Sequence, residues 1–223
     1  MKGGRTGMVK LLEVVEQANF FIIEEAQKLN DDSERKRVGI LGGTFNPPHI
    51  GHLIIAQQAG EQLGLDKVMF MPDAKPPHVD EKPSIAGKHR EEMVRRAIAN
   101  NPLFDIETIE LERGGKSYTV DTMRELSEKN PDTDYYFIIG ADMANYLPKW
   151  REIEELVELV QFVGVSRPGY PKTSEYPIIW VDSPEVAISS TKIREMVKTG
   201  QSLRYILPED VITYIEEEGL YLD

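Results

Sequence analysis

The stretch Gly42-Gly43-Thr44-Phe45-Asn46-Pro47-Pro48-His49-Ile50-Gly51-His52 constrains this chain more than any other. Before it, Arg37-Val38-Gly39-Ile40-Leu41 is a short apolar run of the kind that forms a buried parallel strand. After it, Leu53 to Ala59 reads as a helix. The stretch is therefore a strand-to-helix turn, and its residue types suit a polyphosphate. Gly42 and Gly43 lack a Cβ, so the backbone can turn sharply and let a ligand approach. The helix start is expected to offer unpaired N–H groups and the positive end of its dipole. His49 and His52, three residues apart, project from one face, with Gly51 keeping that face low between them.

The whole chain bounds what such a turn can serve. Its 223 residues suffice for one domain, or one domain with an appendage. A formal charge of −12 argues against a sequence-independent nucleic-acid binder. With no cysteine, disulfides, thiolate catalysis and thiolate-bound zinc are excluded, and His49, His52, His78 and His89 form no HExxH pattern. No apolar run reaches membrane-spanning length and no signal peptide is evident, so a cytoplasmic location is expected.

Residues 1–36 stand apart as an N-terminal helical extension, with Met8, Leu11, Leu12, Val15, Ala18, Ile22, Ala26 and Leu29 at helical spacing. Residues 1–7 show no pattern, and Met8 is read as the natural start, which an intact mass would settle. From Arg37 to Asp223 strands and helices alternate. Strands are expected at Lys67–Pro72, Tyr135–Ile139, Gln161–Val165 and Ile178–Val181, and an irregular pair at Phe104–Ile106 and Ile109–Leu111. Helices are expected at Lys88–Asn100, Val120–Lys129, Ser190–Lys198 and Glu209–Glu218. This alternation implies an α/β fold, a doubly wound parallel sheet with ligands at the carboxyl ends of its strands.

Several of those strand ends carry chemistry. The second strand leads into Pro72-Asp73-Ala74-Lys75-Pro76-Pro77-His78, a stiff loop whose Lys75 and His78 suit an anion. Ser117 or Thr119 can cap the helix that follows Arg113-Gly114-Gly115-Lys116. Gly140 and Asp142 follow the strand ending at Ile139, where a carboxylate suits ribose hydroxyls. In Ile188-Ser189-Ser190-Thr191-Lys192-Ile193-Arg194 three hydroxyls meet at a helix start, with Arg194 on the same face as Ser190 and Thr191.

These residues also carry a resemblance. The turn from Gly42 to His52 resembles the T/HxGH signature of the nucleotidyltransferase superfamily, in the form found in bacterial nicotinate-nucleotide adenylyltransferases. Ser189 to Arg194 is similar to the superfamily's second signature, which holds the β- and γ-phosphates. The resemblance implies a Rossmann-like nucleotidyltransferase domain over residues 37–223. It implies transfer of an adenylyl group from ATP to nicotinate mononucleotide in NAD biosynthesis, with Mg2+ carried by the ATP phosphates and no metal site on the protein. His49, His52 and Arg194 would be catalytic. Gly42, Gly43, Thr44, Phe45, Gly51, Gly140, Asp142, Arg167, Ile188, Ser189, Ser190 and Thr191 would bind ATP. Lys75, Tyr118, Thr119, Tyr146 and Trp150 would bind the mononucleotide, Trp150 by stacking on the pyridine ring. Val79 stands where that family carries a lysine, leaving the phosphate contact to Lys75 or Lys82, or absent. Asn46 stands where many relatives carry aspartate and is read as a turn-former.

The literal His-Ile-Gly-His also resembles class I aminoacyl-tRNA synthetases, which length and charge exclude. Phosphopantetheine adenylyltransferases and cytidylyltransferases share the first signature but do not suit Ser117–Thr122 or Tyr146–Trp150. A nucleotide sensor without turnover is the reading from another class. Residues 1–36 are expected at an interface between copies of the chain. Removing them should then change the sedimentation coefficient by more than their mass accounts for, and an unaltered assembly would dismiss the idea.

Overall fold

The computed structural model describes residues 35–75, 84–166 and 171–222. The N-terminal extension up to Glu34, the loop carrying His78, Val79 and Lys82, and Arg167 lie outside the described residues.

Six strands form one sheet: β1 (Lys36–Gly43), β2 (Lys67–Pro72), β3 (Phe104–Ile106), β4 (Thr133–Gly140), β5 (Val160–Val165) and β6 (Ile178–Val181). All neighbours are parallel, in the order β3-β2-β1-β4-β5-β6. This is the doubly wound arrangement expected from the alternation. Because side chains alternate along a strand, both faces of the sheet are apolar. Phe137 and Ile139 of β4 face one layer with Ile40, Met123, Leu126, Leu156 and Phe162. Ile138 faces the other with Leu41, Ala56, Ala59, Val68, Phe70 and Val163.

Eight helices cover these layers among the described residues. They are α1 (Ile50–Leu63), α2 (Gly87–Ile98), α3 (Ile109–Arg113), α4 (Thr119–Lys129), α5 (Ala141–Ala144), α6 (Ile153–Leu159), α7 (Ser190–Lys198) and α8 (Glu209–Glu217). A third apolar cluster, including Ile193, Leu203, Val211 and Ile215, joins α7 and α8 to Met93 of α2. None of the described helices is long and apolar enough to cross a membrane.

Two stretches differ from expectation. Ile109-Glu110-Leu111 is not a strand but the start of α3. Ile109 and Glu110 are both buried in this short helix. Glu107 accepts the Ile109 N–H at 2.9 Å, and the Gly114 N–H closes the last turn on the Glu110 carbonyl. The sequence reading also passed over α5, α6 and the 3₁₀ turn Leu147–Lys149. In α6 the signal was there: Ile153 and Leu156, one turn apart, are its buried residues.

The sheet order turns back on itself between β1 and β4, so the connections leaving those strands diverge and open a crevice at their carboxyl ends. Gly43 ends one wall and Gly140 the other. The functional residues gather there.

Candidate active site

A cleft of about 520 Å3 lies along these strand ends. Among the described residues it is lined from β1 and α1 by Gly42, Gly43, Thr44, His49, Gly51 and His52. Gly140, Asp142, Ile188, Ser189 and Ser190 line one end, and Asp73, Glu110, Ser117, Thr119 and Trp150 the other. Stretches far apart in the sequence thus meet around one space.

The turn at its centre is set by packing. Phe45 adopts φ 49°, a left-handed backbone that residues with a Cβ avoid. Its ring is buried on Phe70 and meets His52 edge-on at 5.1 Å. A Cβ on Gly43 would come within 3.3 Å of that ring, so Gly43 makes room for Phe45. Phe45 thus shapes the site from the core, and its side chain is not among the cleft's lining. A Cβ on Gly51 would sit 3.0 Å from His49 Nδ1, so Gly51 gives the imidazole its place, as expected.

His49 is the N-cap of α1 and His52 its third residue, and their rings stack at 3.8 Å. The His49 N–H donates to His52 Nδ1 at 3.1 Å. Accepting there leaves Nε2 to carry the proton of a neutral His52 ring, which makes that nitrogen a donor. The expectation of several unpaired N–H groups at this helix start needs correction. The Ile50 N–H donates to the Ile206 carbonyl and the His52 N–H to the His49 carbonyl. The imidazoles, more than the backbone, are what this turn offers a ligand.

Beneath the turn lies a buried charge that the sequence reading missed. Arg90 of α2 is 2% exposed. It donates to the carbonyls of Thr44 (2.8 Å), Asp73 (2.7 Å) and Ile85 (3.3 Å), and pairs with the Asp73 carboxylate at 3.5 Å. Asp73 in turn accepts from the Thr44 hydroxyl at 2.8 Å. One guanidinium therefore ties the end of β1 to the end of β2. The signal was an arginine one turn before Met93 and Val94 on the apolar face of α2. Burial pushes the Asp73 carboxyl up, and the Thr44 hydrogen bond and Arg90 offset this only in part. Burial likewise lowers the Arg90 pKa against the pull of Asp73. Desolvation outweighs attraction on both sides, as in many buried ion pairs.

Glu110 repeats the pattern at the same end of the cleft as Asp73. It accepts from the Thr122 hydroxyl at 2.9 Å, binding α3 to α4, and burial pushes its pKa up. The predicted caps of α4 are corrected: Tyr118 is its N-cap and makes no side-chain capping bond. Ser117 instead accepts the Ala74 N–H at 3.2 Å, while its own N–H donates to the Lys75 carbonyl. It fastens the β2 loop to the helix start.

The helix start of α7 is as predicted. Ser189 caps it, accepting the Lys192 N–H at 3.3 Å. The Ser190 hydroxyl donates to the Pro47 carbonyl at 2.8 Å, and Arg194 Nη1 to the Asn46 carbonyl at 2.9 Å. Arg194 Nη2 reaches the Thr191 hydroxyl at 3.3 Å. The two predicted phosphate-binding stretches are thus bonded to each other, although Thr191 and Arg194 are outside the cleft's own lining. Trp150 packs edge-on against Phe137 and Phe162 at about 6 Å and also lines the cleft. Lys75, Tyr118 and Tyr146 are not among the lining residues. Arg151 covers the Tyr118 ring at 4.8 Å, and Lys149 lies over the half-exposed Tyr146 ring at 4.3 Å.

Comparisons with known proteins identify the family. The sequence profile of the cytidylyltransferase-like family matches residues 40–196. A probable nicotinate-nucleotide adenylyltransferase of Lactiplantibacillus plantarum is 64% identical over 83% of this chain and 88% of its own. One of Enterococcus faecalis is 64% identical over 85% and 86%. The chain belongs to the nicotinate-nucleotide adenylyltransferase family. The nicotinic acid mononucleotide adenylyltransferase of Plasmodium falciparum, solved with NaAD, superposes with a TM-score of 0.69. At 21% identity, over 83% of this chain and 97% of that one, it shows that the adenylyltransferase fold is shared.

The two raised carboxyls give a signed pH effect. A folded-state pKa above the unfolded one means that the folded chain binds more protons. Stability from these groups is therefore full at low pH and lost as pH rises through the raised values. Glu110→Gln keeps an acceptor for Thr122 without the charge. Denaturant unfolding between about pH 4 and pH 7 is expected to show a shallower loss of stability with rising pH in this variant. An unchanged slope would contradict the assignment to burial of Glu110.

Proposed function

We propose that the cleft joins ATP to nicotinate mononucleotide, releasing pyrophosphate and nicotinate adenine dinucleotide. A phosphate oxygen of the mononucleotide attacks the α-phosphorus of ATP, and the bond from that phosphorus to the β-phosphate bridge breaks. The attacking group is already an anion, so no strong base is needed. Catalysis consists of aligning two anions and neutralising the charge that develops between them. The observation that carries this reading is the direct bonding of the two phosphate-binding stretches, Ser190 to Pro47 and Arg194 to Asn46, around the stacked histidines.

His49 and His52 donate to phosphoryl oxygens, His52 through Nε2. Arg194 and the Ser189–Thr191 helix start hold the leaving pyrophosphate. Gly42, Gly43, Thr44 and Gly51 give the triphosphate its floor, Gly140 and Asp142 receive the adenosine ribose, and Ile188 with Arg167 the adenine. At the other end Trp150 stacks on the pyridine ring while backbone N–H groups near Thr119 receive its carboxylate, and Lys75, Tyr118 and Tyr146 close the rim. Magnesium enters as part of the ATP substrate, screening its phosphates. In this reading the enzyme works in the cytoplasm, and residues 1–36 join its copies.

Replacing His52 by Ala should lower kcat by roughly 10²–10³, the scale of a lost transition-state donor. Activity within twofold of the parent would remove the role. Trp150→Ala is expected to raise KM for the mononucleotide well above any change for ATP. Equal changes in both would assign Trp150 to packing alone.

A further inference from the structure

The turn that carries His49 is held from a third direction. Asn46 is buried, its carbonyl bonded to Arg194. Its side-chain Oδ1 accepts from the Tyr221 hydroxyl at 2.8 Å. Tyr221 follows α8, where Gly219 at φ 59° and Tyr221 itself at φ 66° turn the chain inward. A tyrosine in the left-handed region is strained, and it persists only where its surroundings hold it. They do so here. Leu220, just before it, is buried in the third apolar cluster, and the Leu220 N–H donates to the Ile215 carbonyl. The Tyr221 hydroxyl also meets Met93 Sδ at 4.0 Å. Burial pushes the phenol's pKa up, so the hydroxyl stays a donor. Asn46 touches both partners: its amide meets the segment after α8, and its carbonyl meets the arginine of α7.

We infer that Tyr221 is a positioning residue for adenylyl transfer, its hydroxyl fixing Asn46 so that the Asn46 carbonyl presents Arg194 to the departing pyrophosphate. The inference rests on the reading of Arg194 given above. Tyr221 touches no reacting atom and acts through Asn46 and Arg194. Its effect therefore falls on the leaving group, whose charge grows as the bond breaks, and spares the mononucleotide at the far end of the cleft.

The test compares Tyr221→Phe with Tyr214→Phe. The Tyr214 hydroxyl bonds His89 at 2.8 Å in the same α2–α8 layer, away from Asn46, so its loss reports general loosening. Pyrophosphate release is measured with ATP and nicotinate mononucleotide, and binding of magnesium pyrophosphate by titration calorimetry. Tyr221→Phe should lower kcat and pyrophosphate affinity each by about 3- to 10-fold, the scale of one hydrogen bond, with KM for the mononucleotide within about twofold. Tyr214→Phe should leave both unchanged. Asn46→Ala should reproduce the loss, and the double variant should add little to it. Parent-like kcat and pyrophosphate affinity in Tyr221→Phe, or an equal fall in Tyr214→Phe, would overturn the inference. A parent without turnover would count against adenylyl transfer itself, and the pyrophosphate titration would then decide the positioning role alone.

Discussion

Two backbone carbonyls in the Asn46-Pro47 turn hold this site together. Each accepts from a side chain of α7 that lies more than 140 residues away in the chain. Without those bonds the helix start that gathers three hydroxyls and an arginine would have no fixed relation to the histidines of α1. Sheet topology brings the two elements to the same end of the molecule, but topology alone sets distances only to within a side chain's length. The hydrogen bonds set the rest. Catalysis by alignment and charge neutralisation depends on such fixed geometry, because a small displacement of a donor costs rate even when every residue is present.

The turn can accept those bonds because it is rigid from below. Phe45 is pinned in a left-handed conformation by its buried ring, and Arg90 ties the Thr44 and Asp73 carbonyls together. Burying that arginine costs desolvation, which lowers its pKa, and burial likewise raises that of its partner Asp73. The pair is better understood as a brace than as a source of stability. It holds the loops after β1 and β2 at one spacing, which is the spacing of the cleft's floor.

Much of this was legible in the sequence. Apolar runs bounded by glycine and proline marked β2 and β6 to the residue, and the hydroxyl-rich start of α7 announced its own N-cap. Local chemistry marked His49, His52, Asp142 and Ser189, and the family resemblance Thr119 and Trp150, and all six line the one cleft. What could not be read depended on long-range partners. The N–H of Ile50 looks available in the sequence and is taken by Ile206. Phe45 sits in a ligand-binding signature, yet its ring belongs to the core. Arg90, Glu110 and Tyr221 carry polar side chains in apolar surroundings, and only the fold reveals what they hold. Ile109–Leu111 misled because three residues are too few for either period to declare itself.

In the proposed reaction the cleft transfers an adenylyl group to the acid form of the pyridine mononucleotide. Pyrophosphate release with ATP and magnesium tests it most directly, with nicotinate mononucleotide, nicotinamide mononucleotide and phosphopantetheine offered in parallel. Turnover is expected to favour the nicotinate acid strongly. Measurable ATP binding with no turnover on any of the three would contradict it and would mark the protein as a nucleotide sensor.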